Sequence, residues 1–378
     1  LPPASIMAII QKLLRLIYLK CACFCKNCGR QYRTLFSLNR ILKKLKLPKT
    51  SQNKVYTMDH FEIAIVGAGI SGLMAATYLI EKGKNPVLFD KGRGPGGRMS
   101  TRRLGEFRLD HGAQFFTVRD PRFEKYVQSW EKAGVAKIWC KGFSSTGDGH
   151  PRFRGTEGMN SIPKWLAGQL DVRTGHKVES VRFVNNLWHL DFEDSQSISA
   201  DQLLITSPVP QTIALLEAGQ VELSTSTKSY LSLISYDPCI AMMVLPKNPL
   251  SMPEHGGWQI NEEPLQFVAD NQLKGLPNPG QALTFHLGPR ASTEHWESGP
   301  EKLSELVKGD LRKRGKDLVI EDIQIHRWRY SQPSRLHDEP FLLARGVPNL
   351  FFAGDAFAGP KVEGAALSGL SAAQAMIA

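Results

Sequence analysis

At 378 residues, 42% of them hydrophobic, the chain is long enough to bury two cores. Its formal net charge of +11 would point to nucleic acid or an anionic surface if it were spread evenly, but residues 1–57 carry twelve Lys or Arg and no Asp or Glu. The remaining 35 basic and 36 acidic side chains nearly cancel, which excludes nucleic-acid binding by the main body, and six cysteines without a paired framework exclude a disulfide scaffold.

The basic leader precedes Met58, where a compact enzyme is expected to begin. Ile6, Ile9, Ile10, Leu13, Leu14 and Ile17 recur at helical spacing with Lys12 and Arg15 off that face, giving a basic amphipathic helix. Charge interrupts the apolar run too often for a membrane span or a secretory signal. Three readings stay open: a segment outside the folded chain, an acid-free organellar transit peptide, or a membrane-surface helix. The expected compartment is cytoplasmic, or organellar on the second reading, with no stable membrane insertion of the main body. Cys21, Cys23, Cys25 and Cys28 cluster here without a following His/Cys group at zinc-finger spacing, so no metal site is expected. Cys140 and Cys239 read as isolated buried residues.

The first element of the main body is a short apolar strand over Ile63–Val66. Gly67, Gly69 and Gly72 follow as G-x-G-x-x-G and lead into a helix with Leu73, Ala76, Leu79 and Ile80 on its face. Pro86–Phe89 then forms a second strand that ends on Asp90, eighteen residues after Gly72. This is the context that turns a weak motif into a dinucleotide-binding fingerprint. The first glycine permits the turn, the second lets backbone approach a pyrophosphate, the third brings helix and strand together, and Asp90 accepts from ribose hydroxyls.

From about Arg119 the pattern loses regularity. "DPRFEKYVQSWEKAG" reads as a charged helix, and Lys177–Phe192 alternates around Asn185-Asn186, a hairpin signal. "LLITSP" is another buried strand. Between residues 208 and 325, "CIAMMVLP", "LQFVA" and "ALTFHLG" read as strands of a second, largely antiparallel sheet, with a helix opening near Pro300. The chain returns through "NLFFAGDA", an apolar strand running into Gly354-Asp355. No long linker is visible, so the domains interleave: 58–118, 158–207 and 326–378 are expected to bind the cofactor, and 119–157 and 208–325 to form the substrate domain.

A second glycine cluster, Gly94-Pro95-Gly96-Gly97-Arg98, sits where the chain leaves Asp90. A nicotinamide dehydrogenase needs only the first turn. Flavoproteins of the glutathione reductase-like and amine-oxidase-like classes add such a "GGR" turn and finish with a "GD" near the C-terminus. With "LFDKGRGPGGRMS", "DHGAQFFTVRDPRF", "GMNSIPKWLA", "LLITSPVPQ", "HRWRYSQP" and "FFAGDAFAGPKVEGAALSGLSAA", the chain resembles the renalase-type flavoproteins over nearly all of 58–378.

The resemblance implies an α/β fold: a Rossmann-like FAD-binding domain of p-hydroxybenzoate hydroxylase type, interleaved with a smaller, mostly antiparallel β domain. It implies noncovalent FAD held by Gly67, Gly69, Ser71, Gly72, Asp90, Lys91, Gly97, Arg98, Ala113, Gln114, Val178, Gly354 and Asp355, with Val362 and Glu363 near the isoalloxazine. The substrate is then expected near Gln114, Phe115, Phe116, Thr117, Trp328 and Tyr330, with Lys361 toward a substrate anion. Bacterial relatives tend to carry arginine at the position of Lys361, and a Trp-Cys pair where this chain has Ala356-Phe357. No residue is assigned acid/base work; His111 and His326 are candidates that read first as structural. The implied reaction is hydride loss from a small reduced substrate, dihydro isomers of NAD(P)H, with molecular oxygen as acceptor and hydrogen peroxide as product. A flavin amine oxidase is the enzymatic alternative. A non-catalytic binding protein on a degenerate flavin fold is the alternative of another class, disfavoured by the retention of Asp90, Arg98 and Asp355.

Overall fold

A computed structural model describes residues 59–144, 147–357 and 359–378; the leader, with its expected amphipathic helix and four cysteines, lies outside them. The first strand, Asp59–Val66, ends in Ile63, Ala64, Ile65 and Val66, all buried, as an unbroken apolar run should be when both sheet faces are covered. It runs parallel to Pro86–Asp90 on one side and to Ser197–Ile205 on the other. Asp171–Thr174 and Leu350–Phe352 extend the parallel sheet outward. Parallel neighbours need a crossover, and the helix Ile70–Glu81 supplies the first.

An antiparallel hairpin, Val178–Val184 with Leu187–Phe192, docks on Ser197–Ala200, and Leu342–Leu343 closes the other edge to make eight strands. The hairpin turns at Asn185 and Asn186, whose φ values of 53° and 63° are the left-handed pair that a two-residue turn requires. Alternate residues of the first strand serve two cores. Ile63 and Ile65 pack with Leu73, Leu79, Leu370 and Ala373 of the first and last helices; Ala64 and Val66 pack with Phe89, Trp188 and Leu203.

The helix Pro121–Lys132 is started by Asp120, whose side chain accepts from Arg122 N at 2.8 Å. Pro121 occupies its first position, and Phe123, Tyr126, Val127 and Trp130 form its buried face at helical spacing.

The second sheet is antiparallel, with strands in the order Gly257–Gln259, Leu265–Asp270, Leu283–Leu287, Ser235–Pro246 and Ile320–Arg335. Ile240, Met242, Val244 and Phe285 belong to the core closed by Leu303, Val307 and Leu311 of the helix Pro300–Lys313. Alternation turns their neighbours the other way. The register places Ala241 opposite both His286 and His326, and Cys239 opposite Trp328. A short hairpin, Thr101–Leu104 with Phe107–Asp110, is fastened to this sheet where Leu104 and Leu109 pack on Met243 and Ala282. Among the described residues no helix is long and apolar enough to cross a membrane.

Candidate active site

The first glycine turn separates what the protein needs for itself from what it offers. Gly67, at φ +106°, donates from its N to Phe89 O at 2.8 Å, and a Cβ there would lie 2.6 Å from Thr206 Oγ1. A Cβ on Gly72 would collide with Gly67 O, so the third glycine is required by helix–strand packing. Gly69 is different: a Cβ there would meet no protein atom within 4 Å. Nothing among the described residues demands a glycine at that point. The backbone amides after it open the helix Ile70–Glu81, whose first turn carries no acidic residue to offset the positive end of its dipole. Ser71 Oγ is buried there without a hydrogen-bond partner among the described residues.

Asp90 accepts from Ala68 N and Gly92 N, both at 2.7 Å, which ties the strand end to both glycine turns and leaves carboxylate lone pairs for further donors. Lys91 is exposed and donates to Gln211 Oε1 at 3.0 Å. Val178, paired with Phe192, begins the hairpin just after His176, whose N donates to Asp90 O at 3.0 Å.

The second turn is built onto the first. Gly96 N donates to Ala68 O at 2.8 Å, and Gly96 and Gly97 take φ values of +123° and +52°. Arg98 then reaches Asp355 as a two-pronged pair, Nη1 to Oδ2 at 2.6 Å and Nη2 to Oδ1 at 2.7 Å. The same Nη1 donates to the carbonyls of Tyr330 and Ser331 at 3.3 and 3.0 Å, so one guanidinium binds the glycine turn to the long strand of the second sheet. Behind it, Ala113 N donates to Arg98 O at 2.8 Å. Gly354, at φ +144°, donates to Ser368 Oγ at 2.8 Å, and the last helix, Lys361–Met376, passes so close to the first that a Cβ on Gly369 would collide with Ser71 O. Val362 is buried in its first turn.

Several expected roles change. Gln114 does not present its amide to a ligand: Nε2 donates to the Asp110 and Gly112 carbonyls at 2.6 and 3.2 Å, and Oε1 accepts from Lys274 Nζ at 3.2 Å. Phe116 is not a wall of the site. It is 2% exposed and packs on Phe123, Trp130 and Phe153 in the main core, because consecutive extended residues point to opposite sides. Phe115, half-buried, joins Trp139, Phe143 and Phe267 instead. Thr117 is half-buried. Glu363 Oε1 accepts from Arg119 N and Asp120 N at 2.6 and 2.8 Å, a tether for the start of the Pro121–Lys132 helix. Asp355, expected to face cofactor hydroxyls, has both oxygens on Arg98. Lys361 is exposed at the head of the last helix with φ +82°.

Trp328 and Tyr330 do come to the junction of the two sheets. Trp328 Nε1 donates to His111 O at 2.7 Å, and its ring stacks on His111 at 5.4 Å and meets His326 edge-on at 4.1 Å. Tyr330 faces Tyr236 at 5.7 Å. Burial holds these imidazoles uncharged: His111 is pushed down to about 3, helped by His326, Arg102 and His286, and His286 to about 4. His326 is lowered by burial and then by Arg102. Burial raises the Tyr236 phenol and Asp355 adds to the rise.

Sequence reasoning missed His286, Tyr236 and a fully buried ion pair. Lys274 Nζ donates to Asp110 Oδ2 at 2.7 Å with both side chains 0% exposed, while Asp110 Oδ1 accepts from Thr101 Oγ1 and Met159 N. The third face of the ammonium lies 5.0 Å from the Trp139 ring. "DHGAQ" was a signal for Asp110 alone; its partner is 164 residues away in a loop without a motif.

The description "Flavin containing amine oxidoreductase" matches residues 130–377, and "NAD(P)-binding Rossmann-like domain" matches 65–130. The chain belongs to the flavin-containing amine oxidoreductase family. Renalase of Mus musculus is 23% identical over 331 residues, covering 82% of this chain and 96% of that protein. A 4,4'-diapophytoene desaturase of Staphylococcus haemolyticus is 40% identical over only 75 residues, 17% of this chain and 15% of its own. The solved structure of putrescine oxidase bound to putrescine superposes with a TM-score of 0.63 at 14% identity, covering 84% of this chain and 99% of that one, a likeness of fold. The protein is a renalase-like, FAD-dependent oxidoreductase. The residues present fit that cofactor: an open flank at Gly69, an unpartnered buried Ser71 hydroxyl, an unneutralised helix N-terminus for a pyrophosphate, and spare lone pairs on Asp90 for a ribose.

Proposed function

We propose that the protein takes hydride from dihydro isomers of NAD(P)H, using noncovalently bound FAD, and reduces molecular oxygen to hydrogen peroxide. Bound FAD supplies a two-electron acceptor that passes the pair on to oxygen. The substrate loses two electrons and one proton as hydride, and oxygen gains the pair with two protons, the second from solvent. The glycine turns, Ser71 and Asp90 hold the cofactor, while the Arg98–Asp355 pair locks the second turn against the strand that carries Tyr330 and Trp328.

The observation that carries this reading is the set of uncharged imidazoles around Trp328. Groups pushed down to about 3 and 4 are poor proton acceptors at neutral pH, which suits a reaction that needs none. Hydride loss that aromatises a dihydropyridine requires orientation rather than a base, and indole, phenol and neutral imidazole provide a stacking and hydrogen-bonding wall.

One residue favours the amine oxidase instead. Asp237 is half-buried beside Tyr236 at a bulge of its strand, its carboxylate has no hydrogen-bond or ion-pair partner among the described residues, and a carboxylate there suits an ammonium group. Anaerobic mixing separates the two. Dihydro isomers of NAD(P)H are expected to bleach the flavin absorbance much faster than primary amines or ordinary 4-dihydro NADH, and Asp237→Asn is expected to leave that rate within about twofold, as for a residue outside the reaction. Bleaching by amines alone, abolished by Asp237→Asn, overturns the proposal.

A further inference from the structure

Among the described residues, Arg102 is a cation without a counter-charge. It lies in the strand Thr101–Leu104, opposite Leu109, and its neighbours Thr101 and Arg103 border a groove of about 640 Å³ with Arg108, Glu157 and Lys164. Alternation along the strand sends Arg102 the other way, toward the face of the second sheet that carries His326. Its charge reaches both His111 and His326 and opposes the protonation of each. Arg102 is half-buried, and its guanidinium makes no hydrogen bond or ion pair with any described residue. Of the arginines nearby, Arg98 is engaged with Asp355, Arg108 with Glu157, and Arg154 with the carbonyls of Gly155 and Thr156, while Arg103 lines the groove on the opposite side of the strand.

A guanidinium partly withdrawn from water keeps most of its desolvation cost unless an anion arrives, and its planar fork of donors matches phosphate oxygens two at a time. The place is fixed on both sides. The hairpin that carries Arg102 is anchored by the buried Asp110–Lys274 pair, and the facing strand is anchored at Tyr330 and Ser331 by Arg98. From Tyr330 to His326 the strand covers about 13 Å at roughly 3.3 Å per residue. A ligand with its reacting ring against Tyr330 that runs along this strand passes Trp328 and brings a more distal group to His326, on the side where Arg102 acts.

We propose that Arg102 binds the pyrophosphate of a dinucleotide substrate, which makes it the residue that distinguishes dinucleotides from small uncharged or cationic substrates. The proposal rests on the reading of the substrate as a reduced nicotinamide dinucleotide. It assigns to Arg102 the anion contact that sequence resemblance gave to Lys361.

The test uses the full FAD-loaded chain and two measurements. Equilibrium binding of ADP-ribose reads the pyrophosphate contact without hydride transfer; anaerobic bleaching by the dihydro isomers of NADH and by the corresponding phosphate-free riboside reads its effect on turnover. Arg102→Met is expected to weaken ADP-ribose at least tenfold. It should raise the dinucleotide concentration that half-saturates the bleaching rate by a similar factor with the limiting rate unchanged, and leave the riboside unaffected, the pattern of lost uniform binding. Arg102→Lys should recover part of the loss, because a point charge remains without the fork. Equal losses for dinucleotide and riboside, no change in either, or no measurable binding of ADP-ribose to the unaltered enzyme overturns the proposal. If Arg102→Met releases ADP-ribose but neither dihydropyridine bleaches the unaltered enzyme, the anion site stands and the substrate reading fails. Unchanged flavin content and melting temperature in Arg102→Met confirm that the fold survives.

Discussion

The two halves of the candidate site are built by different rules. On the parallel sheet, the cofactor elements come from short motifs in which most of the work is done by backbone: Gly67 and Gly72 have no room for a side chain, and Gly96 N is bonded to Ala68 O. On the antiparallel sheet, the facing wall is made of side chains from distant segments, His111, Tyr236, His286, His326 and Trp328, related only by register and packing. Backbone sites need particular residue types at particular spacings and so leave a signature. Side-chain walls need only that alternate residues of paired strands face one way, which any sequence of suitable strands satisfies.

The buried pair that joins the two halves provides the largest expected effect. Lys274→Met leaves the Asp110 carboxylate uncompensated in a dry environment and is expected to cost about 3–5 kcal/mol in urea unfolding. Lys84→Met, which removes an exposed pair with Glu62, should cost no more than about 1 kcal/mol. Adding Asp110→Asn to Lys274→Met should recover part of the loss. If the single variant costs as little as the Lys84 control, the junction is held by apolar packing instead.

Acid titration sharpens the contrast next. His111 and His286 have folded values pushed down to about 3 and 4 from an ordinary 6.5, so below pH 6.5 the unfolded chain binds protons that the folded chain refuses. Stability is therefore expected to fall as pH drops from about 6.5 toward 4, by roughly 2 kcal/mol per histidine at pH 5, with no contribution above 6.5. His286→Phe should flatten the slope by about one proton. Unfolding midpoints measured between pH 5 and 8 check this, and a slope unchanged by the substitution would mean that His286 titrates normally.

The smallest effect on stability carries the clearest information about the glycine half. Gly69→Ala places its methyl in open space, so the flavin-free protein should unfold within about 0.5 kcal/mol of the unaltered one. FAD affinity should nonetheless drop at least tenfold, because the methyl occupies the approach of the pyrophosphate. Gly72→Ala is the counter-case: its methyl meets Gly67 O, and folding itself should suffer. Equal FAD affinity in Gly69→Ala and the parent would remove the pyrophosphate from this turn.

Where side chains at the junction differ from expectation, the reason is competition for partners. Gln114 and Asp355 were legible as polar residues in cofactor motifs, yet nothing local shows that Lys274 and Arg98 claim their oxygens. Phe115 and Phe116 are one chemical type in sequence, and the extended backbone parts them, one to the main core and one to the ring cluster around Trp139.

The amino-acid sequence by itself determined the strand at Ile63–Val66 with the glycine turn and helix that follow it, the acid at Asp90, the "GGR" and "GD" turns, the Asn185-Asn186 hairpin and the presence of a second sheet, because each is dictated by backbone sterics or hydrophobic period over a few residues. Tertiary structure alone decided that Asp110 meets Lys274, that Ala241 lies between His286 and His326, and that the Arg102 guanidinium has no carboxylate partner among the described residues. Those are relations between residues up to 164 positions apart, as for Asp110 and Lys274, and no local propensity carries information about which charge will find a partner and which will be left without one.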